Sequence, residues 1–204
     1  MVITACKKEN PDQQESKETV NTYFPLKVGN YWVYEIFQCD SGEINCTTFK
    51  IDTNYVSKDT VIKGETFYKI EGLRLFYNEP RYYRDSGDFI INHKGEIVFT
   101  IKDGNEIYNE YYATNQVDTS SFWYHQLQDS IYSIEVSAGK FDCLNFQLSL
   151  FRKIDNFKIE HNIDNMFGKN VGPVKESSVF VSNLGGRKRE LIGFYVDIGE
   201  TLGP

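Results

Sequence analysis

From Tyr23 onward, short runs of β-branched and aromatic residues alternate with turn signals about every ten residues, a spacing that restricts the chain to an antiparallel β sandwich or barrel. Tyr31 to Gln38 is apolar on both faces, as expected of a central strand. Thr60-Val61-Ile62 and Thr66-Phe67-Tyr68 flank the turn Lys63-Gly64-Glu65, and Phe89-Ile90-Ile91 and Ile97-Val98-Phe99 flank another at 92–96. Lys140 to Arg152 has the clearest period of two: Leu144, Phe146, Leu148 and Leu150 fall on one side, Cys143, Asn145, Gln147 and Ser149 on the other. One of those faces should be core and the other solvent or a polar cavity. Ile163 to Lys169 is the window that could hold a short turn of helix. The fold class that follows is all-β and mainly antiparallel: a single curved sheet, half-barrel or barrel, with at most short helical turns.

The 204 residues suffice for one such domain with a real core. Hydrophobic residues at 40% and charged residues at 25% exclude a disordered or collagen-like chain. A net charge of −7 argues against a general nucleic-acid binder, which needs clustered Lys and Arg. No stretch after the N-terminus approaches the roughly 18–20 apolar residues of a spanning helix.

The first residues read as an address. Ile3-Thr4-Ala5-Cys6 resembles the lipobox of bacterial lipoproteins, in which the Cys is acylated and becomes the mature N-terminus. Only Met1 to Ala5 precede it, so the apolar stretch of a full signal is missing. Lys7 to Thr22 has a single apolar residue, Val20, and cannot bury enough surface to offset the entropy of ordering it. Residues 1–22 therefore read as a truncated signal and lipobox followed by a polar tether, and 23–204 as one β-rich domain. Lys7-Lys8-Glu9 is similar to the charged export signals of Bacteroidetes surface lipoproteins. The expected location is the outer membrane, on its periplasmic or cell-surface side, with the membrane reached through a lipid on Cys6.

Cys39 and Cys46 bracket a short loop with a Ser-Gly turn signal, a natural hairpin geometry for a disulfide. Two free thiols are the alternative; zinc is disfavoured because CxxC spacing and nearby His are lacking. Cys143 is left over, read as a small apolar strand residue.

Phe24-Pro25-Leu26-Lys27-Val28-Gly29-Asn30-Tyr31-Trp32-Val33-Tyr34 resembles the opening FPL..GN.W.Y of a group of Bacteroidetes lipoproteins without assigned activity. Ala138 to Cys143 is similar to that group's aGxFdC strand entry. Asn170 to Lys175 with Glu190-Leu191 is similar to its GvGlVk…eL ending, although Pro173 replaces an aliphatic residue. The resemblance implies a curved antiparallel sheet comparable to lipocalins or to the half-barrels of lipoprotein carriers, and it brings no catalytic residues.

Chemistry is sparse in the sequence. His93, His125 and His161 lie far apart with no metal-ligand spacing, and neither a GxSxG elbow nor a P-loop is present. Asp85-Ser86-Gly87-Asp88 lacks the ligand pattern of a calcium loop and reads as a turn. Arg187-Lys188-Arg189 reads as a solubilising hairpin tip. No catalytic residue, metal or cofactor is expected. With 2 Trp, 14 Tyr and 15 Phe, aromatics are the one feature that could serve binding, through Tyr82, Tyr83, Tyr111, Tyr112, Trp123 and Tyr124. The same rings could equally fill sheet faces. The expected function is a lipid-anchored, non-catalytic envelope protein binding an unknown envelope protein, glycan or apolar ligand. A carrier holding an apolar ligand in a half-barrel cavity is the first alternative, and an envelope hydrolase the second.

Overall fold

Most strands pair with the one before them in sequence, β6/β7 and β10/β11 being the exceptions, and the last strand returns to the first. The structure, a computed structural model, describes residues 18–41, 44–102, 104, 106–114, 119–154, 157–180 and 185–198. A four-residue helix, α1 (Val20–Tyr23), precedes β1 (Tyr31–Ser41), β2 (Ile44–Ile62), β3 (Glu65–Glu71), β4 (Arg81–Asp85), β5 (Phe89–Asn92) and β6 (Ile97–Thr100). The second half holds β7 (Ile107–Thr114), β8 (Thr119–Val136), β9 (Gly139–Ile154), β10 (Phe157–Ile163), β11 (Asn165–Gly168), β12 (Gly172–Val179) and β13 (Gly186–Tyr195). They form one 13-stranded antiparallel sheet in the order β6-β5-β4-β3-β2-β1-β13-β12-β11-β9-β8-β7, with β10 on β9. β10 and β11 both run against β9 and are separated only by Asp164, so they act as one broken stave. The result is an up-and-down barrel, nearly closed.

Its seam lies between β6 and β7, where side chains substitute for a backbone ladder. Asn109 of β7 takes a left-handed backbone conformation (φ 51°), which Asn tolerates better than most residues. Its Oδ1 accepts from the Ile97 N–H at 3.0 Å and its Nδ2 donates to the Ile97 carbonyl at 2.6 Å. One amide side chain thus reproduces the two-bond exchange of a strand pair.

The barrel is filled. Phe99 of β6 stacks on Phe167 of β11 with centroids 4.2 Å apart and meets Phe146 of β9 edge-on, which locks opposite walls together. Residues 19–30 plug one end: Val20, read from sequence as the one apolar residue of the tether, is fully buried, and Phe24 packs on Trp32, Tyr83 and Phe167. The plug explains the FPL..GN.W.Y pattern. Gly29 turns with φ 95°, and buried Asn30 ties the Pro25 carbonyl to the Asp197 N–H. Trp32 Nε1 donates to the Val171 carbonyl at 2.6 Å and Tyr34 Oη to that of Pro173 at 2.7 Å. At Gly172 (φ 105°) a Cβ would lie 2.8 Å from Trp32 Nε1, so the indole fits only over glycine.

Three sequence expectations are corrected. Ile163–Lys169 contains strand β11 rather than a helical turn, because pairing with both β9 and β12 buries Met166 and Phe167. β1 is not apolar-buried on both faces: Trp32, Tyr34 and Ile36 point inward, whereas Tyr31 is exposed on the outside and pairs with exposed Tyr195 and Tyr55. In β9 the row of Cys143, Asn145, Gln147 and Ser149 is not a solvated face, since Cys143, Asn145 and Ser149 are buried like Phe146. Asn145 and Gln147 donate to Asp164 Oδ1, and Ser149 donates to Asn162 Oδ1, so the polar row is satisfied internally.

Cys39 and Cys46 face each other across β1 and β2 and are joined by a disulfide, while Cys143 is a buried free thiol. Replacing both with Ser should lower unfolding free energy by about 2.5 kcal/mol, the entropy of closing so short a loop; an unchanged urea midpoint would remove that role. Asn109→Ala should cost about 1–3 kcal/mol, because two backbone groups at the seam lose their partner. A midpoint equal to wild type would mean that the seam is held elsewhere.

Candidate functional site

α1 and the turns that follow β3 sit at opposite ends of the barrel, because β1 rises from the plug and β3 runs in the same direction after two reversals. At the end away from the plug, residues 72–80 leave β3 and tuck inward before β4. Gly72 (φ 108°) presses against β2, where a Cβ would lie 2.2 Å from the Thr53 carbonyl. The Leu73 N–H donates to Asp52 Oδ2 and Asn54 Nδ2 donates to the Leu73 carbonyl. Arg74 and Tyr77 exchange backbone hydrogen bonds, Leu75 is buried, and Arg187 Nη1 donates to the Leu75 carbonyl at 2.7 Å.

That turn delivers Arg74 into a buried charge network. Glu176 of β12, 6% exposed, pairs through Oε2 with Arg189 of β13 at 2.5 Å and through Oε1 with Arg74. Arg189 is 4% exposed and its guanidinium lies 4.2 Å from the Tyr34 ring centroid. Arg81, at the start of β4, donates to Asn54 Oδ1 at 2.5 Å, and Arg189 donates to the same oxygen at 2.8 Å. Arg187-Lys188-Arg189 is therefore not a solubilising tip. Strand alternation sends Arg189 into the interior, while Lys188 pairs with Glu190 at 2.9 Å over the Phe37 ring.

Burial opposes the charge on Glu176, but the guanidiniums of Arg189 and then Arg74 outweigh it and hold the carboxyl at about 2. Burial, reinforced by neighbouring Arg189 and Arg74, lowers Arg81 to about 10. His125 of β8 is stacked on Phe146, and burial, then Arg74, pushes it down to about 4. Burial raises the Tyr34 phenol to about 12.

These groups line a cavity of about 40 Å³ bounded on its apolar side by Phe24, Trp32, Ile70, Phe146 and Phe167. Arg74, Arg81 and Tyr83 also line an outer depression of about 190 Å³ that includes Tyr77, Tyr82 and His93. Among the described residues neither lining holds a Ser, Thr or Cys, and no cluster of three His, Cys, Asp or Glu could hold a metal.

The six aromatics singled out from sequence separate into three settings. Tyr83 is buried and lines the cavity. Tyr82, Tyr111 and Trp123 follow the rim: Tyr82 meets His93 edge-on, Tyr111 donates to Glu96 at 2.7 Å, Asn92 donates to the other Glu96 oxygen, and Tyr111 stacks on Trp123 at 5.6 Å. Tyr112 and Tyr124 belong to an outward ladder with Phe122 and Phe151. Sequence reading missed Arg74, Arg81, Glu176 and Arg189. The available signal was charge at inward positions, such as Glu176 two residues from Val174 and Arg189 two residues from Leu191. Cys6 lies outside the described residues, and among those described no helix is long and apolar enough to cross a membrane.

The fold is thus a filled antiparallel barrel, plugged at one end and carrying a charged cavity at the other. It is similar to a candidate lipoprotein of Parabacteroides distasonis ATCC 8503, with 12% identity and a TM-score of 0.45, over 85% of this chain and 98% of that one. It is also similar to a candidate exported protein with a YmcC-like fold from Bacteroides fragilis NCTC 9343, with 9% identity and a TM-score of 0.47, over 85% of this chain and 99% of that one. No protein-family model and no curated protein matches the chain.

The burial of His125 and the ion pairs of Glu176 make stability fall with acid. His125, whose folded value lies below its ordinary 6.5, contributes fully above pH 6.5 and loses that contribution as pH falls toward about 4. Glu176 contributes fully above 4.5 and loses that contribution as pH falls toward about 2. Urea midpoints measured from pH 7 to pH 3 should decline in both windows, and His125→Gln should flatten the upper one. Identical upper-window slopes for variant and wild type would refute the assignment to His125.

Proposed function

We propose that this chain is a lipid-anchored, non-catalytic envelope protein that binds its partner at the end of the barrel remote from the plug. The observation that carries this reading is the filled interior. A carrier of an apolar ligand needs an enclosed hold of several hundred Å³, whereas the aromatic walls meet across the barrel and leave a cavity of about 40 Å³. The remote end gathers the features of a binding surface: rim aromatics with polar partners, an outer depression and a half-exposed arginine, Arg74. The lipobox-like Ile3-Thr4-Ala5-Cys6 and the polar segment behind it support the anchor.

The anchor is tested by producing the full chain behind a complete export signal and partitioning envelopes between detergent and water. Wild type should enter the detergent phase and Cys6→Ala the aqueous phase. Equal partitioning of the two would end the lipoprotein reading.

A further inference from the structure

We infer that the cavity beneath the 72–80 turn is a receptor site for a carboxylate carried on a short apolar stem. This deepens the binding reading at the same end of the barrel but does not depend on the anchor. The first ground is charge. Three guanidinium groups, those of Arg74, Arg81 and Arg189, line the cavity with one carboxylate, that of Glu176. Glu176 is already engaged by Arg189 and Arg74, whereas Arg81 donates to the neutral oxygens of Asn54 and Gly72. A guanidinium whose Nε is buried beside two others is costly unless an anion offsets their charge.

The second ground is unmet hydrogen bonding. Among the described residues, buried Nε of Arg81 and of Arg189 has no partner, nor has Nδ1 of His125 or Oδ1 of Asn165, and all four residues line the cavity. Arg189 and Asn165 are at least nine-tenths buried, so bulk water does not satisfy these atoms. Four such atoms on residues that line one small cavity call for a bound partner or ordered water, and the Asn165 oxygen, an acceptor, takes no part in holding an anion. Two of them are guanidinium N–H donors, the groups that bind planar oxyanions most strongly.

The third ground sets the ligand class. The opposite side of the cavity is Phe24, Trp32, Ile70, Phe146 and Phe167, which would strip water from a phosphate dianion without replacing it. A monoanion with one charged end and one apolar end fits both sides. With about 40 Å³ available, the stem is only a few carbons long. Half-exposed Arg74 connects the cavity to the outer depression and gives the carboxylate its way in.

The test uses the full chain, with tryptophan fluorescence, to which Trp32 in the lining contributes, and the thermal midpoint as readouts. Propionate should give a saturable fluorescence change and raise the midpoint, while propionamide, its neutral counterpart, should give neither. N-acetylalanine in a parallel titration identifies the source: tighter binding than propionate assigns the carboxylate to a peptide end, and weaker binding to a free acid. Arg81→Gln leaves both Glu176 ion pairs in place and should weaken binding about tenfold or more, the loss of one charge-assisted hydrogen bond. The inference is overturned by any of three results: no saturable effect of either acid, equal effects of propionate and propionamide, or tighter binding of inorganic phosphate. Unchanged affinity in a folded Arg81→Gln would also overturn it. The propionate–propionamide contrast is read on wild type, so it stands even where the variant fails to fold. Detergent partitioning of the anchor is independent of all these outcomes.

Discussion

The ion pairs of Glu176 fix what surrounds them. A carboxylate at 6% exposure inside a barrel is tolerable only with close cationic partners, since breaking a buried pair costs about 3–5 kcal/mol. Arg189 comes from the neighbouring strand and is positioned by the sheet itself. Arg74 comes from the 72–80 turn, which must dip inward for its guanidinium to reach Glu176. The dip in turn requires Gly72 against β2, the Leu73 bonds to Asp52 and Asn54, and the Arg187 bond to the Leu75 carbonyl. One buried acid thereby organises the end of the barrel that carries the candidate site.

The opposite end depends on hydrophobic burial instead. Val20, Tyr23, Phe24 and Leu26 replace the water that a barrel end would otherwise admit, and each stands within reach of an aromatic wall. Phe24 on Trp32 and Phe167, and Phe99 on Phe167, make the two ends continuous: Phe24 of the plug forms part of the apolar floor of the charged cavity. The aromatic richness of the chain is therefore first a means of filling a wide barrel. The rim, the outward ladder of Tyr112, Phe122, Tyr124 and Phe151, and the outer Tyr31, Tyr55 and Tyr195 leave rings over for other uses.

Period-two alternation and turn chemistry were enough to read the strands and hairpins, because both are local. Lys63-Gly64 turns with positive φ at both residues, and Cys39 meets Cys46 in register. The helical reading of Ile163–Lys169 failed because Asp164 breaks a stave, a feature that exists only once β9 lies alongside. The candidate site was illegible for a related reason. Arg189 sits in a basic triplet that alone reads as surface, and Glu176 and Arg74 are far apart in sequence. Only closure of the barrel turns their alternation inward and toward one another. Asn109 is similar: nothing local marks one asparagine as the seam, since its partner Ile97 acquires an unpaired edge only when the sheet curls round.

The placement of the two ends has a consequence for geometry. The described chain begins at Glu18, whose carboxylate pairs with Lys169 beside the plug, at the end remote from the arginines. A chain held at Cys6 and fully extended to Glu18 reaches at most about 40 Å. Any anchor at Cys6 therefore tethers the barrel from its plugged end and within that distance of the membrane. The Arg74–Arg81–Arg189 cavity lies at the end of the barrel away from such an attachment. A binding site at the plug would compete with the tether for the same surface; a site across the barrel does not. A hydrophobic end beside the start of the described chain and a charged end across the barrel thus leave the proposed anchor and the proposed binding site on separate surfaces.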